Sequence, residues 1–210
     1  MKPLFDPAAA LAHLTAADPR LAVVIARAPR CDLKPKRLAS LFTVLVRAIV
    51  YQQLNGKAAG TILGRVEALF PEGVVTPAAL LATPDEKLRA AGLSRNKLAS
   101  LRDLAAKTLD GTVPSPTAAR KLGDEELIAR LTEVRGVGPW TVHMLLMFDL
   151  GRPDVLPTGD YGVRMGFKKL YRKRREPKPV ELERHARRWH PYRSIGAWYL
   201  WRVHEVELPE

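Results

Sequence analysis

The sequence predicts an all-α protein. Apolar residues recur at helical spacing along most of the chain, and no segment shows a convincing strand alternation or hairpin signal. The residues between apolar stretches are mainly Pro, Gly, Ser, Thr and Asp, of the kind that start and stop helices. Short stretches near 73–75 and 154–156 alone have an extended character.

Taken in order, helices are expected over 20–28, 36–53, 56–70, 84–91, 94–109, 123–133, 139–149, 159–172, 178–188 and 193–205. Residues 39–50, ASLFTVLVRAIV, are apolar nearly all round, which marks a central core helix. Thr83-Pro84-Asp85-Glu86 is a helix start, with proline at the first position and acids in the first turn. Ser94 opens the next helix. Residues 110–118, DGTVPSPTA, are the best linker candidate and separate either two lobes or two helices. Residues 123–133 are amphipathic, with Leu127, Ile128 and Leu131 on one side. The N-terminal MKPLFDPAAALAHL is expected to be structured and not a cleaved leader.

Composition narrows the function. The chain has 210 residues, 47% of them hydrophobic, enough for one large domain or two small lobes. Lys and Arg number 34 against 22 acids, a net charge of +12, which favours a polyanionic partner. No apolar run reaches the roughly 18 residues that a membrane span requires. The single cysteine, Cys31, excludes an internal disulfide framework and a four-cysteine iron–sulfur cluster, and fits a reducing, cytoplasmic setting.

The segment with most chemistry is LTEVRGVG (131–138), followed by Pro139-Trp140-Thr141. A helix runs into a tight Gly-Val-Gly turn and another begins at once. Gly136 and Gly138 permit φ > 0 or close approach of another molecule. Backbone N–H groups at the new helix start form an anion site, and in so basic a chain the anion is a nucleic-acid phosphate. Downstream lies DVLPTGDYGVRMG (154–166). Pro157 stops the preceding segment, and Thr158 or Gly159 caps the next helix, leaving Asp160 at its first turn. By itself Asp160 is an ordinary capping residue.

The pairing says more. A glycine-rich hairpin, a helix, a proline-ended loop and an aspartate about 22 residues on resemble the helix-hairpin-helix DNA glycosylase superfamily. Within it the chain is most similar to 3-methyladenine DNA glycosylase II, over roughly 36–205. LVRAIVYQQLNGKAAGTILGRV (45–66), LRAAGLSRNKLASLRDLA (88–105), the hairpin, the Asp160 loop and HPYRSIGAWYLW (190–201) match in order. The resemblance implies two helical lobes, about 36–112 and 118–205, with the active-site cleft between them and residues 1–35 packed on one lobe. Larger members carry an N-terminal α/β domain before the matching region, and the expectation here is a compact single unit without it.

The resemblance also assigns roles. Asp160 is the carboxylate that stabilises the oxocarbenium-like sugar. Trp140 stands where strand-cutting members have a Schiff-base lysine, so a monofunctional enzyme that leaves an abasic site is implied. Trp140 is either a stacking face for a flipped base or a core residue at a helix start. Tyr192 and Met144 are weaker pocket candidates. Gln53 or Leu54 fills the gap left by the flipped nucleotide. Arg135, Gly136, Val137, Gly138 and Thr141 contact the DNA backbone without reading sequence. Main-chain carbonyls of Thr132, Val134 and Gly136 match a Na+ or K+ site, and no other cofactor is required. The partner implied is double-stranded DNA, with no membrane, and the state expected is a monomer. Trp189, Trp198 and Trp201 are more often core than site, and Asp149, Asp154 and Glu133 are treated as loop or solvated residues. The basic run KKLYRKRR (168–175) is either a solvated face or a phosphate-contacting one. A noncatalytic protein binding distorted duplex is the alternative from another class, and Asp160 with Trp140 discriminates against it.

Overall fold

The computed structural model describes residues 2–209, and among these the secondary structure is helical, with no strand. Capping residues begin most helices. Asp6 caps α1 (Pro7–Ala17) and Asp18 caps α2 (Pro19–Arg27). Ser40 caps α3 (Leu41–Tyr51) and Asn55 caps α4 (Gly56–Glu67). Then follow α5 (Pro77–Ala82), α6 (Asp85–Ala90), α7 (Arg95–Leu109), α8 (Pro116–Lys121), α9 (Asp124–Thr132) and α10 (Pro139–Met144). A π-helical turn, Leu145–Asp149, continues α10. Last come α11 (Tyr161–Leu170), α12 (Pro179–Ala186) and α13 (Arg193–Arg202). Among the described residues no helix is long and apolar enough to cross a membrane.

Three of these helices are absent from the sequence-based expectation: α1, α5 and α8. Each begins with a capping oxygen directly followed by proline: Asp6-Pro7, Thr76-Pro77 and Ser115-Pro116. The proline lacks only an N–H that a first helical turn leaves unpaired anyway. The stretches near 73–75 and 154–156 are not strands; Pro71–Gly73 is a 3-10 turn.

The chain forms two compact units. A central unit is Leu38–Val142; a terminal unit joins the chain up to Arg37 with that from His143 onward. Segment 110–118 therefore lies inside the central unit and is not the break between the two. Val113 is 3% exposed there, and its N–H donates to the Lys107 carbonyl at 2.8 Å.

In the central unit α3 is the core helix. It buries Leu41, Phe42, Leu45, Val46, Ile49 and Val50. These pack against α7, which buries Leu98, Leu101, Leu104 and Ala105, and against α4. In the terminal unit α11 lies against α13, and α2 packs on α13. The α11–α13 approach is so close that a Cβ on Gly166 would fall on the Leu200 carbonyl.

A buried carboxylate ties the N-terminal helices into the terminal unit. Asp18, 2% exposed, ends α1 and begins α2. Its Oδ1 accepts the Leu21 N–H; its Oδ2 accepts the Tyr171 hydroxyl at 2.6 Å and the Trp189 indole N–H at 2.9 Å. His185 Nε2 stands 2.8 Å from the same oxygen. Burial pushes the Asp18 carboxyl up, but the hydrogen bonds from His185, Tyr171, Trp189 and the Leu21 amide outweigh it and bring the pKa down to about 2. The folded state thus holds this proton less tightly than the unfolded chain. The resulting stability, on the order of 2 kcal/mol, is present above about pH 4 and lost as pH falls towards 2.

Asp18→Ala is expected to cost about 3 kcal/mol or more, since four groups, Leu21 N–H, Tyr171, Trp189 and His185, lose their partner in a buried site. Asp18→Asn is expected to cost less and to flatten the loss of stability between about pH 4 and pH 2. Urea unfolding followed across that range measures both; an unchanged slope in Asp18→Asn would contradict the assignment.

Candidate functional site

Asp160 is itself the N-cap of α11. Its Oδ1 accepts the Val163 N–H at 2.8 Å. The sequence offered Thr158 or Gly159 as the cap, with Asp160 as an ordinary capping residue by itself, and the cap is Asp160. The same oxygen accepts the Trp201 indole N–H, also at 2.8 Å. Trp201 comes from α13 and is braced by Phe148, whose ring centroid lies 5.7 Å away. A Cβ on Gly162 would come within 2.8 Å of the Trp201 ring and 3.2 Å of Asp160 Oδ1. Gly162 therefore keeps open the space in which this hydrogen bond forms. Trp201 is a part of the site that the sequence reading assigned to the core.

The loop that delivers Asp160 is fastened along its length. Asp154 accepts two hydrogen bonds from the Arg193 guanidinium, both at 2.8 Å, and one from the Arg193 backbone. His190 Nδ1 stands 2.6 Å from Asp154 Oδ2. Burial raises the Asp154 carboxyl, but the Arg193 bonds and charge, together with His190, leave it below the ordinary range. Ser194 Oγ accepts the Val155 N–H and donates to the Arg152 carbonyl. Asp154 is thus a structural clamp and not a solvated loop residue. Asp149 likewise pairs with Lys36 at 2.9 Å.

The hairpin belongs to the central unit. Gly136 has φ +78°, which glycine alone adopts readily, and a Cβ there would lie 2.7 Å from Ser100 Oγ. Gly138 needs no such conformation, and a Cβ on it would meet nothing. Its lack of a side chain leaves bare backbone at the start of α10. The Val137 N–H donates to the Val134 carbonyl, and the Arg135 N–H donates to Asp103 Oδ2 at 2.7 Å. Among the described residues no acceptor faces the N–H of Gly136 or Gly138. Of the five residues expected to meet DNA through the hairpin, these two glycines have backbone N–H groups that make no hydrogen bond among the described residues. Thr141 is 7% exposed, so its side chain belongs to the interior.

The Gln53–Leu54 loop is tied to the same hairpin. Gln52 Nε2 donates to the Gly136 carbonyl at 2.8 Å, across 84 residues of sequence. Lys97 Nζ donates to the carbonyls of Val50 and Gln52 at 2.7 and 2.9 Å, placing a cation at the C-terminus of α3. Desolvation lowers the Lys97 pKa from its ordinary value. Directly after these anchors Gln53 adopts φ +56°, and Leu54 is 40% exposed. Gln52, Lys97 and Asp103 escaped the sequence reading because their partners are far away in the chain.

Trp140, at the first turn of α10, is 50% exposed, which removes the core alternative for it. Met144 ends the same helix and is partly exposed. Tyr192 is also partly exposed, but its ring is in edge contact with His13, centroids 5.5 Å apart, and lies 6.2 Å from Phe5. Tyr192 is thus engaged by the N-terminal segment.

Comparison with known proteins agrees with this geometry. The family model of HhH-GPD superfamily base excision DNA repair proteins matches residues 46–191. The chain is 39% identical over 163 residues to DNA-3-methyladenine glycosylase 1 of Schizosaccharomyces pombe, covering 77% of this chain and 72% of that one. A crystal structure of a DNA-3-methyladenine glycosidase from Bacillus halodurans is similar with a TM-score of 0.84 and 35% identity, over 96% of this chain and 90% of that one. The S. pombe 3-methyladenine DNA glycosylase Mag1, solved in complex with abasic DNA, gives a TM-score of 0.77 and 34% identity, over 94% and 97% of the two chains. With the family matched across most of its length, this chain belongs to the HhH-GPD superfamily of base excision DNA repair proteins.

Proposed function

We propose that the protein is a monofunctional DNA glycosylase that hydrolyses the N-glycosidic bond of alkylated purines in double-stranded DNA. The observation that carries this reading is Asp160: a carboxylate fixed at a helix start by Val163 and Trp201. The similarity to 3-methyladenine glycosylases supports the substrate class.

The chemistry follows from the substrate. Alkylation at N3 or N7 makes the purine a cation. Cleavage of its bond to C1′ sends the bonding electron pair to the base, which leaves neutral, and the sugar takes up positive charge. A carboxylate beside that sugar stabilises the charge and orients the water that adds to C1′. The water proton passes to the carboxylate or to solvent. Little acid catalysis of base departure is needed, so a single carboxylate suffices. Trp140 has no amine with which to form a Schiff base, and its exposed face suits an electron-poor, flipped base.

The N–H groups of Gly136 and Gly138 are the donors for a strand phosphate. The carbonyls of Thr132, Val134 and Gly136 lie at and just after the end of α9; Val134 accepts the Val137 N–H and Gly136 the Gln52 amide, so each of these two would offer a cation its remaining lone pair. Such neutral oxygens suit Na+ or K+, which would add positive charge next to the phosphate. Leu54 is the better wedge candidate of the pair, because it is an exposed apolar side chain on a loop anchored at Gln52 and followed by the Asn55 cap of α4.

Asp160→Asn, which keeps a capping side chain, is expected to lower single-turnover base release by about 10²- to 10⁴-fold with little change in stability. Full activity in that variant would sink the catalytic assignment. Wild-type product should appear as strand breaks only after alkali, and borohydride should trap no covalent adduct. Trp201→Phe, which removes one hydrogen bond to the carboxylate, is expected to lower the rate about tenfold or more. Leu54→Ala is expected to weaken base release on duplex substrate more than Gln53→Ala does; the reverse order would move the wedge to Gln53.

A further inference from the structure

The second half of α11 and the turn after it carry a set of cations that pair with no carboxylate among the described residues. Two basic residues of the neighbourhood are neutralised: Arg164 pairs with Glu176 at 2.7 Å and Arg175 with Glu181 at 3.0 Å. Lys168, Lys169, Arg172, Lys173 and Arg174 have no carboxylate partner among the described residues. Lys169 and Arg172 meet only backbone carbonyls, of Val203 and Pro209, and Lys173 lies over the Phe167 ring. These residues line an open groove of about 730 Å³ that also takes in Tyr161, Met165 and His204.

The groove has a direction. Tyr161, Met165 and Lys168 follow at helical spacing and form one row along α11, and Arg172 lines the same groove from the turn beyond its end. The groove starts beside Asp160, with Tyr161 at 66% exposure, and ends in the basic turn. At 1.5 Å per residue, Lys168 lies roughly 12 Å along the helix from Asp160. A DNA strand carries a phosphate about every 3.4 Å of its axis, so the row spans about three to five nucleotides.

The turn itself is strained in a way that keeps a cation in the groove. Its hydrogen bonds, Arg172 N–H to Lys169 and Lys173 N–H to Lys168, are those of a helix C-cap that ordinarily has glycine in the left-handed position. Here Arg172 occupies it, with φ +52°. An arginine is costlier there than glycine, and strain of this kind is found where function holds it in place.

We infer that this groove is a second DNA-backbone surface, which holds the phosphates of the strand whose reacting sugar lies at Asp160. It rests on the glycosylase reading for the choice of DNA over another polyanion, since that strand is the nearest source of phosphates. The test is equilibrium binding of the full chain to a duplex with an abasic-site analogue, at a series of salt concentrations. Each phosphate contact contributes about 0.9 to the slope of log K against log salt. The K168Q/R172Q/K173Q/R174Q variant is expected to bind more weakly and to lower that slope by about 2 to 4. Arg172→Gly is expected to raise the melting temperature and yet lower the slope by about 1, a combination that a purely structural role does not produce. An unchanged slope in both variants, or weaker binding by the same factor at every salt concentration, overturns the inference. If the wild-type protein releases no base from alkylated duplex, the glycosylase reading fails, while the slope still decides whether the groove binds DNA.

Discussion

Helix α11 can lie as it does against α13 only because residue 166 has no side chain. The Leu200 carbonyl occupies the place that a Cβ would take. That approach brings Trp201 onto the first turn of α11, where a second glycine, Gly162, leaves room for the indole. The Trp201 N–H and the Val163 N–H then converge on one oxygen of Asp160. The position of the carboxylate is therefore set by helix packing, and the polar contacts read that packing out. An alanine at either glycine would disturb the site without touching a polar group, because packed interiors yield little to added volume.

The central unit reaches a comparable precision by other means. Its hairpin buries Val134 and Val137, while Gln53 and Leu54 lie in an exposed loop. Polar ties fasten both: Asp103 holds the Arg135 amide, Gln52 holds the Gly136 carbonyl and Lys97 holds the end of α3. The ties from Asp103 and Lys97 come from α7, whose own place is set by the α3–α7 core, and the Gln52 tie joins the two loops to each other. The positive φ of Gln53 persists on such a scaffold. Loops that carry function on a rigid frame need such fastening.

What could be read from the sequence depended on the range of the interaction. The apolar run of α3, the Ser94 cap of α7 and the glycine turn are local patterns, and each appears as expected. Helices α5 and α8 are local too, yet a Thr-Pro or Ser-Pro pair has one spelling for a linker and for a helix start. Burial of Leu80 and Ala119 decides between them, and burial is not a local property. Asp160 and Trp140 could be singled out as candidates because a resemblance pointed to their positions, and the structure shows Asp160 at a helix start and Trp140 exposed. Trp201, Gln52, Lys97 and Asp103 were not legible, since each acts through a partner between 32 and 84 residues away. Tryptophans, moreover, are buried so often that composition alone argues for a core role.

On the proposed reading, specificity has little need of a hydrogen-bonding pocket. A purine already alkylated at N3 or N7 is both a better leaving group and a better partner for an aromatic face than a normal base. An exposed indole such as Trp140 then discriminates by charge, and Asp160 acts on a sugar whose bond is weakened before binding. Such a site can be open and simple, provided the duplex is held firmly from outside it. The proposed groove would meet that requirement: Arg164 and Arg175 are paired with Glu176 and Glu181, while among the described residues the basic neighbours that line the groove have no carboxylate partner. Holding by backbone and selecting by the chemistry of the base are separate tasks, and the residues that serve them are correspondingly different.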